Sequence, residues 1–178
     1  MTQILIMSIG IIFGSDTGVT ESVTDIIVET LKERGKEIDE IKEVCDIENE
    51  EDFLKFELLI LGLSTWYDGD LQSDWEVYFD KFKSIDFSGK TIALFGLGDQ
   101  INYGEYYIDG VGMLAKVVLE NGGNIIGNWS TKGYEHTASK AEIDENTFYG
   151  LALDEDNEDY KTEDRIAAWV DKVLEELG

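Results

Sequence analysis

Ser8-Ile9-Gly10-Ile11-Ile12-Phe13-Gly14-Ser15-Asp16-Thr17-Gly18-Val19-Thr20 passes from an apolar run into a turn of small polar residues, then into a helical pattern with Val23, Ile26, Ile27 and Leu31 on one face. An apolar run without alternation is what a strand buried on both sides requires. A Gly/Ser/Thr turn between such a strand and a helix leaves the first helical N–H groups and the positive end of the helix dipole open to an anion. No Lys or Arg occurs from Ser8 to Leu31, so any anion held here is held by amides and hydroxyls alone. Taken in isolation, the same turn also serves as a plain N-cap.

The strand, loop and helix order then repeats. Leu58–Leu63 and Thr91–Phe95 are further apolar runs. Helical spacing returns at Trp75, Tyr78, Phe79 and Phe82, at Val111, Leu114, Ala115 and Val118, and at Ile166, Trp169, Val170, Val173 and Leu177. A weaker strand is expected over Glu37–Glu43. A fifth is expected from Asn124-Ile125-Ile126-Gly127 together with Phe148-Tyr149-Gly150-Leu151-Ala152-Leu153, with the polar residues 128–147 inserted between the two pieces. This alternation predicts an α/β fold with a parallel sheet covered on both faces. With 178 residues, 43% of them hydrophobic, residues 1–178 are expected to form one domain. Residues 1–7 are expected to extend the first strand or to precede the true start. The chain lacks proline, so its turns rely on Gly, Asn, Asp and Ser, as in Asn121-Gly122-Gly123-Asn124.

In open parallel sheets, ligands sit beyond the carboxyl ends of the strands where the winding reverses, which nominates residues 14–20, 64–70 and 97–107. A nucleoside-triphosphate loop would need Lys after Gly18, where Val19 stands. A dinucleotide loop would need three glycines in the first turn, but Gly14 is followed by Ser15 and Asp16. What remains suits one terminal phosphate. The second loop carries Trp66 and Tyr67 and the third Tyr103. These aromatics either cap the core or stack on a flat conjugated ring, and Gly69 allows positive φ in the turn between them.

The net charge of −25, from 39 acidic and 14 basic residues, argues against nucleic acid and anionic lipid and is compatible with a basic docking partner or with solubility alone. The apolar start lacks preceding basic residues and reads as neither a signal peptide nor a membrane span, so a cytoplasmic protein is expected. Cys45 has no neighbouring thiol or histidine in sequence and His136, the one histidine, is expected to be a solvated loop residue, so no metal site is expected. The acidic run from Asp154 fails as a calcium loop because Asp159 and Arg165 occupy the glycine and glutamate positions. Trp75, Phe79 and Phe82 fit a core stripe.

The chain resembles the long-chain flavodoxins over roughly residues 8–178. The matching residues are Phe13 to Glu21, Thr65-Trp66-Tyr67-Asp68-Gly69 with Leu71-Gln72-Ser73-Asp74-Trp75, Phe95-Gly96-Leu97-Gly98-Asp99-Gln100 with Tyr103, Gly127 to Tyr134, and Gly150 to Asn157, in family order. The resemblance implies a flavodoxin-like doubly wound, five-stranded parallel sheet of order 2-1-3-4-5, with helices on both faces and the last strand split by an inserted loop. It implies non-covalent FMN, with Ser15, Asp16, Thr17, Gly18, Val19 and Thr20 around the phosphate. Ser64, Thr65, Trp66, Tyr67, Asp68, Gly69, Leu97, Gly98, Asp99, Tyr103, Tyr106 and Asp156 would surround the ring, with Trp66 and Tyr103 flanking it and Asp99 at its pyrimidine edge. Two departures are Ser64, where many relatives carry proline, and Val19, where a polar or basic residue is common.

The function implied is electron transfer and not enzymatic catalysis, with no catalytic or metal-binding residue. The resemblance further implies that the Tyr67-Asp68 peptide flips to stabilise a neutral semiquinone and that an anionic hydroquinone forms at low potential. Redox proteins would dock through a basic surface; a monomer, no nucleic acid and no membrane insertion are expected. The rival readings are a flavin-dependent quinone or NAD(P)H reductase, which lacks a nicotinamide motif here, and a phospho-acceptor receiver domain. The latter would need acidic residues after the first strand, where Gly14 and Ser15 stand, and a lysine after Leu153.

Overall fold

In the computed structural model, which describes residues 7–178, the apolar runs form the centre of a twisted sheet. Its strands are β1 (Ile9–Phe13), β2 (Glu40–Glu43), β3 (Leu58–Trp66), β4 (Asp70–Leu71), β5 (Thr91–Leu97), β6 (Asn124–Ile126) and β10 (Leu151–Leu153). A second, antiparallel sheet consists of β7 (Trp129–Ser130), β8 (Glu142–Asp144) and β9 (Thr147–Phe148), in the order β7-β9-β8. The helices are α1 (Val19–Glu33), α2 (Glu51–Leu54), α3 (Ser73–Phe82), α4 (Asp109–Glu120) and α5 (Thr162–Leu177).

The parallel order is β2-β1-β3-β5, and the last position is filled by two strands in succession. β6 pairs with the start of β5, Thr91 to Ala93, and β10 with its end, Phe95 to Leu97. The fifth strand is therefore split as expected, and the order corresponds to 2-1-3-4-5. The split falls later than the sequence suggests, because Phe148 pairs with Trp129 inside the insertion and the sheet resumes only at Leu151. The insertion also has regular structure of its own in β7–β9.

Every residue of β1 is buried, as are the first six of β3 and the last six of β5. Alternate strand residues feed two cores. Ile9, Ile11, Leu58, Ile60 and Phe95 pack with Val23 and Ile27 of α1 and Ile166 and Trp169 of α5. Leu59, Leu61, Leu63 and Leu94 pack with Trp75 and Phe82 of α3 and Val111, Leu114 and Val118 of α4. Core spacing on both faces fixes the strand register, since a one-residue slip would exchange the faces. The second strand is shorter than the expected 37–43, because only Glu40–Glu43 pair with β1 and none of the residues of this edge strand is buried. Residues 1–6 and their proposed strand extension lie outside the described residues. No described helix is long and apolar enough to cross a membrane.

Candidate functional site

The carboxyl ends of β1, β3 and β5 open into one cleft of about 430 Å³. Asp16, Thr17, Val19 and Thr20 line one end, Ser64, Thr65, Trp66 and Tyr67 one wall, and Leu97, Gly98, Asp99 and Tyr103 another; Glu155 and Asp156 close the rim.

The anion end is built by α1 starting without a side-chain cap at a left-handed Gly18. Its first-turn N–H groups are therefore free to meet a ligand. The Ser15 hydroxyl accepts from the Gly18 N–H at 3.1 Å and closes the turn, so Ser15 shapes the loop from outside the cleft lining. Asp16 lines the cleft with its carboxylate engaged, accepting from Gln72 Nε2 at 3.0 Å and from the Ser73 hydroxyl. Gln72, fully buried, also caps α3 through the Trp75 N–H, and a side chain at Gly14 would fall 1.9 Å from its Oε1. Gln72 is thus the loop's anchor, a role that sequence reading missed; its only local signal is its N-cap position three residues before Trp75.

The aromatic wall begins as a strand. β3 continues to Trp66 and turns back through Tyr67-Asp68-Gly69 into β4, so what reads as a loop is a hairpin. Gly69 has φ 92°, as its place in the turn requires, and Tyr67 takes φ 45°, a conformation that side chains rarely adopt. The indole Nε1 of Trp66 donates to Ser64 Oγ at 2.8 Å, so the residue standing in for proline orients the indole. Thr65 Oγ1 accepts from the Gly110 N–H at 2.9 Å, tying the hairpin to the start of α4. Tyr67 and Tyr103 are 64% and 42% exposed, too open to be core caps. Gly69 lies outside the cleft, over Asp109, and Asp68 and Tyr106 line a neighbouring cleft with Gln100, Glu105 and Glu135.

The third loop is a polar turn. Asp99 accepts from the Ile101 and Asn102 N–H groups and from the side-chain amides of Asn102 and Asn157. Burial alone would raise its carboxyl, but these donors hold it below its usual range. With its carboxylate so occupied, Asp99 has its backbone to offer a ring edge. Gln100 and Asp154, both buried, join this loop to the turn after β10, and Gln100 Oε1 accepts from the Glu135 N–H of the insertion at 2.7 Å. Asp154, Gln100 and Glu155 were not among the expected site residues, since their partners lie far away in sequence. The Asp154 carboxylate, bound to Gln100 and Asn157, is a turn support.

Four carboxylates, those of Asp16, Asp99, Glu155 and Asp156, line the cleft and no Lys or Arg does. Burial raises Glu155 and Asp156, and neighbouring carboxylates raise both further. Glu158 behaves oppositely. Its burial is outweighed by hydrogen bonds from Lys161, Arg165 and Gln100, which bring it from 4.5 down to about 2. A lowered folded-state value gives stability that is full above about 4.5 and fades as the pH falls toward about 2. Glu158→Gln is expected to flatten that acid limb in urea-denaturation midpoints measured from pH 6 to 2.5; an unchanged limb would refute the assignment.

His136 is not solvated as expected. Its ring packs on Phe148 and Tyr107 and its Nε2 lies 2.6 Å from Glu142, because the insertion folds over its own small sheet. Cys45 is exposed at the surface, and partial desolvation of its sulfur together with Asp74, Asp46 and Glu43 raises its thiol.

The Flavodoxin family profile matches residues 11–169. A flavodoxin of Klebsiella pneumoniae is 42% identical over 169 residues, covering 95% of this chain and 94% of its own. One from a Picosynechococcus strain is 43% identical, covering 96% and 98%. Among solved structures, a Fusobacterium nucleatum flavodoxin bound to flavin mononucleotide superimposes with a TM-score of 0.85 at 32% identity, covering 96% of this chain and 98% of that one. With the split fifth strand and the insertion it encloses, the chain belongs to the flavodoxin family, in its long-chain form.

Proposed function

We propose that the cleft holds FMN non-covalently and that the protein is an electron carrier, not an enzyme, working at low potential between the half-reduced and fully reduced forms of the flavin. The observation that carries this reading is the joining, in one cleft, of an uncapped helix N-terminus to two aromatic side chains, with carboxylates and no cation around them. FMN supplies the one-electron chemistry when bound. The α1 amides with Thr17 and Thr20 would take the phosphate, Trp66 and Tyr103 the two ring faces, and the backbone at Leu97 to Asp99 the pyrimidine edge. The Tyr67–Gly69 turn, with its sparsely populated backbone at Tyr67, is the segment suited to reorient a peptide toward the ring.

The carboxylates set the energetics. A unit charge about 10 Å away costs an added negative charge about 0.4 kcal/mol in water-like dielectric and about 1.7 at an effective dielectric near 20. For one electron these are about 20 and 70 mV. Added salt screens that field. FMN is expected to be taken up one to one, with a strongly reducing second step whose potential rises with ionic strength. Flavin titration followed by potentiometry at low and high salt checks both. A chain unable to take up FMN would overturn the site, and a second step indifferent to salt would overturn the electrostatic account.

The exposed Tyr67, Ile101 and Tyr103 sit among Asp68, Glu105 and Glu135. Redox partners with a basic surface would dock on this face as the chain's monomer presents it, at rates that fall with salt.

A further inference from the structure

We propose that Asp109 is a positioning residue for the turn Tyr67–Gly69: its free carboxylate oxygen receives the Asp68 N–H when the Tyr67–Asp68 peptide reorients, and the insertion holds that oxygen in place. The inference rests on the carrier reading above and assigns a residue to the second state of the turn.

Asp109 opens α4, is 2% exposed and lies outside the lining of the flavin cleft. One of its oxygens, Oδ1, accepts from the Lys140 N–H of the insertion at 2.8 Å. The neighbouring Ser139 hydroxyl donates to the Tyr107 carbonyl, and a side chain at Gly112 would fall 2.2 Å from the Lys140 carbonyl, so the insertion is seated directly on the start of α4. Because Oδ1 is fixed, the direction of Oδ2 is fixed with it. Oδ2 itself has no hydrogen bond among the described residues; the Lys140 ammonium stands off at 3.9 Å on a side chain that is 64% exposed. Burial pushes the Asp109 carboxyl up, although the Lys140 N–H and ammonium pull it down. A buried carboxylate oxygen without a donor is costly, which makes this one an acceptor in waiting.

The turn lies against that oxygen. A side chain at Gly69 would fall 2.8 Å from Oδ2, so only glycine lets the backbone come so close. The Asp68 N–H likewise has no acceptor among the described residues. The Tyr67–Asp68 peptide is trans, and in a trans peptide the C=O and N–H point in opposite directions. A rotation that turns the Tyr67 carbonyl toward the cleft therefore turns the Asp68 N–H away from it, to the side that Asp109 occupies. Tyr67 starts from φ 45°, a sparsely populated region, which lowers the cost of leaving it. A bond from this N–H to a carboxylate is charge-assisted, and it stabilises the reoriented turn alone.

The test compares the full chain, loaded with FMN, with Asp109→Asn, which keeps the size and an oxygen for the Lys140 N–H and puts an amide NH2 where Oδ2 stands. Loss of the acceptor is expected to make the first reduction step about tenfold less favourable, which for one electron is a potential about 59 mV lower. Loss of a negative charge by itself acts the other way and raises the potential, so the sign separates the two effects. The affinity for oxidised FMN and the unfolding midpoint are expected to stay close to those of the parent. Crystal structures of the loaded parent before and after one-electron reduction, which need no variant, are expected to bring Asp68 N within about 3.2 Å of Asp109 Oδ2 only after reduction. An unchanged or raised first-step potential in Asp109→Asn, or an Asp68 N–H without this contact in both redox states, would overturn the proposal. A parent that takes up no FMN would overturn the carrier reading beneath it, and this proposal with it.

Discussion

Trp75→Ala is expected to lower the unfolding free energy by about 3–5 kcal/mol, the range for deleting a large buried aromatic. Trp75 is fully buried and packs on Phe82 at 5.4 Å and Phe53 at 6.3 Å between ring centroids. Its indole Nε1 donates at 3.0 Å to the Gly62 carbonyl, which also accepts from the Gly14 N–H at 3.1 Å. The substitution therefore opens a cavity and loosens the root of the phosphate loop together. Urea denaturation of the flavin-free chain measures the first effect. Phe82→Leu, which leaves the Gly62 carbonyl paired, separates packing loss from the hydrogen bond. A loss below about 1 kcal/mol for Trp75→Ala would mean that the α3 face can collapse around the missing ring.

Trp66→Ala is expected to act on ligand binding more than on folding. Trp66 is half-buried at the end of β3, with one face open to the cleft and its Nε1 fixed by Ser64. Stacking of a base on an aromatic side chain contributes about 1–3 kcal/mol by alanine substitution. FMN should thus bind about five to 150-fold more weakly, while the stability of the flavin-free chain falls by about 1 kcal/mol or less. Fluorescence titration with FMN gives the first number and urea denaturation the second. Ser64→Ala should give a smaller loss of affinity in the same direction, since it frees the indole without removing it. Affinity within twofold of the parent for Trp66→Ala would show that the ring is not held by this indole.

The two tryptophans show what kind of signal each stage reads. Trp75 is legible in sequence because Tyr78, Phe79 and Phe82 share its helical stripe, and a stripe is local. The bond from its indole to Gly62 is not, because it joins positions 13 residues apart across a helix and a strand. Trp66 is marked by its place just after an apolar strand, but nothing local tells a loop from the β3–β4 hairpin, whose partner is the two-residue strand Asp70–Leu71. His136 misleads for the same reason: a polar loop sequence gives no sign of the small sheet that covers the ring.

Order along the chain determined the strand and helix alternation, the absence of a cation in the first loop, and which three loops meet at the carboxyl edge. Those properties are periodic or local, and the handedness of parallel crossovers then leaves few ways to wind the sheet. Tertiary structure alone decided how the loops are held. Asp16 is bound by Gln72, Asp99 is consumed by four donors, and Gln100 joins Asp154 to the insertion. Asp99, Gln100 and Asp154 are buried or half-buried polar groups that must find partners once water is excluded. Which partner each finds depends on which distant backbone the packed core brings within about 3 Å.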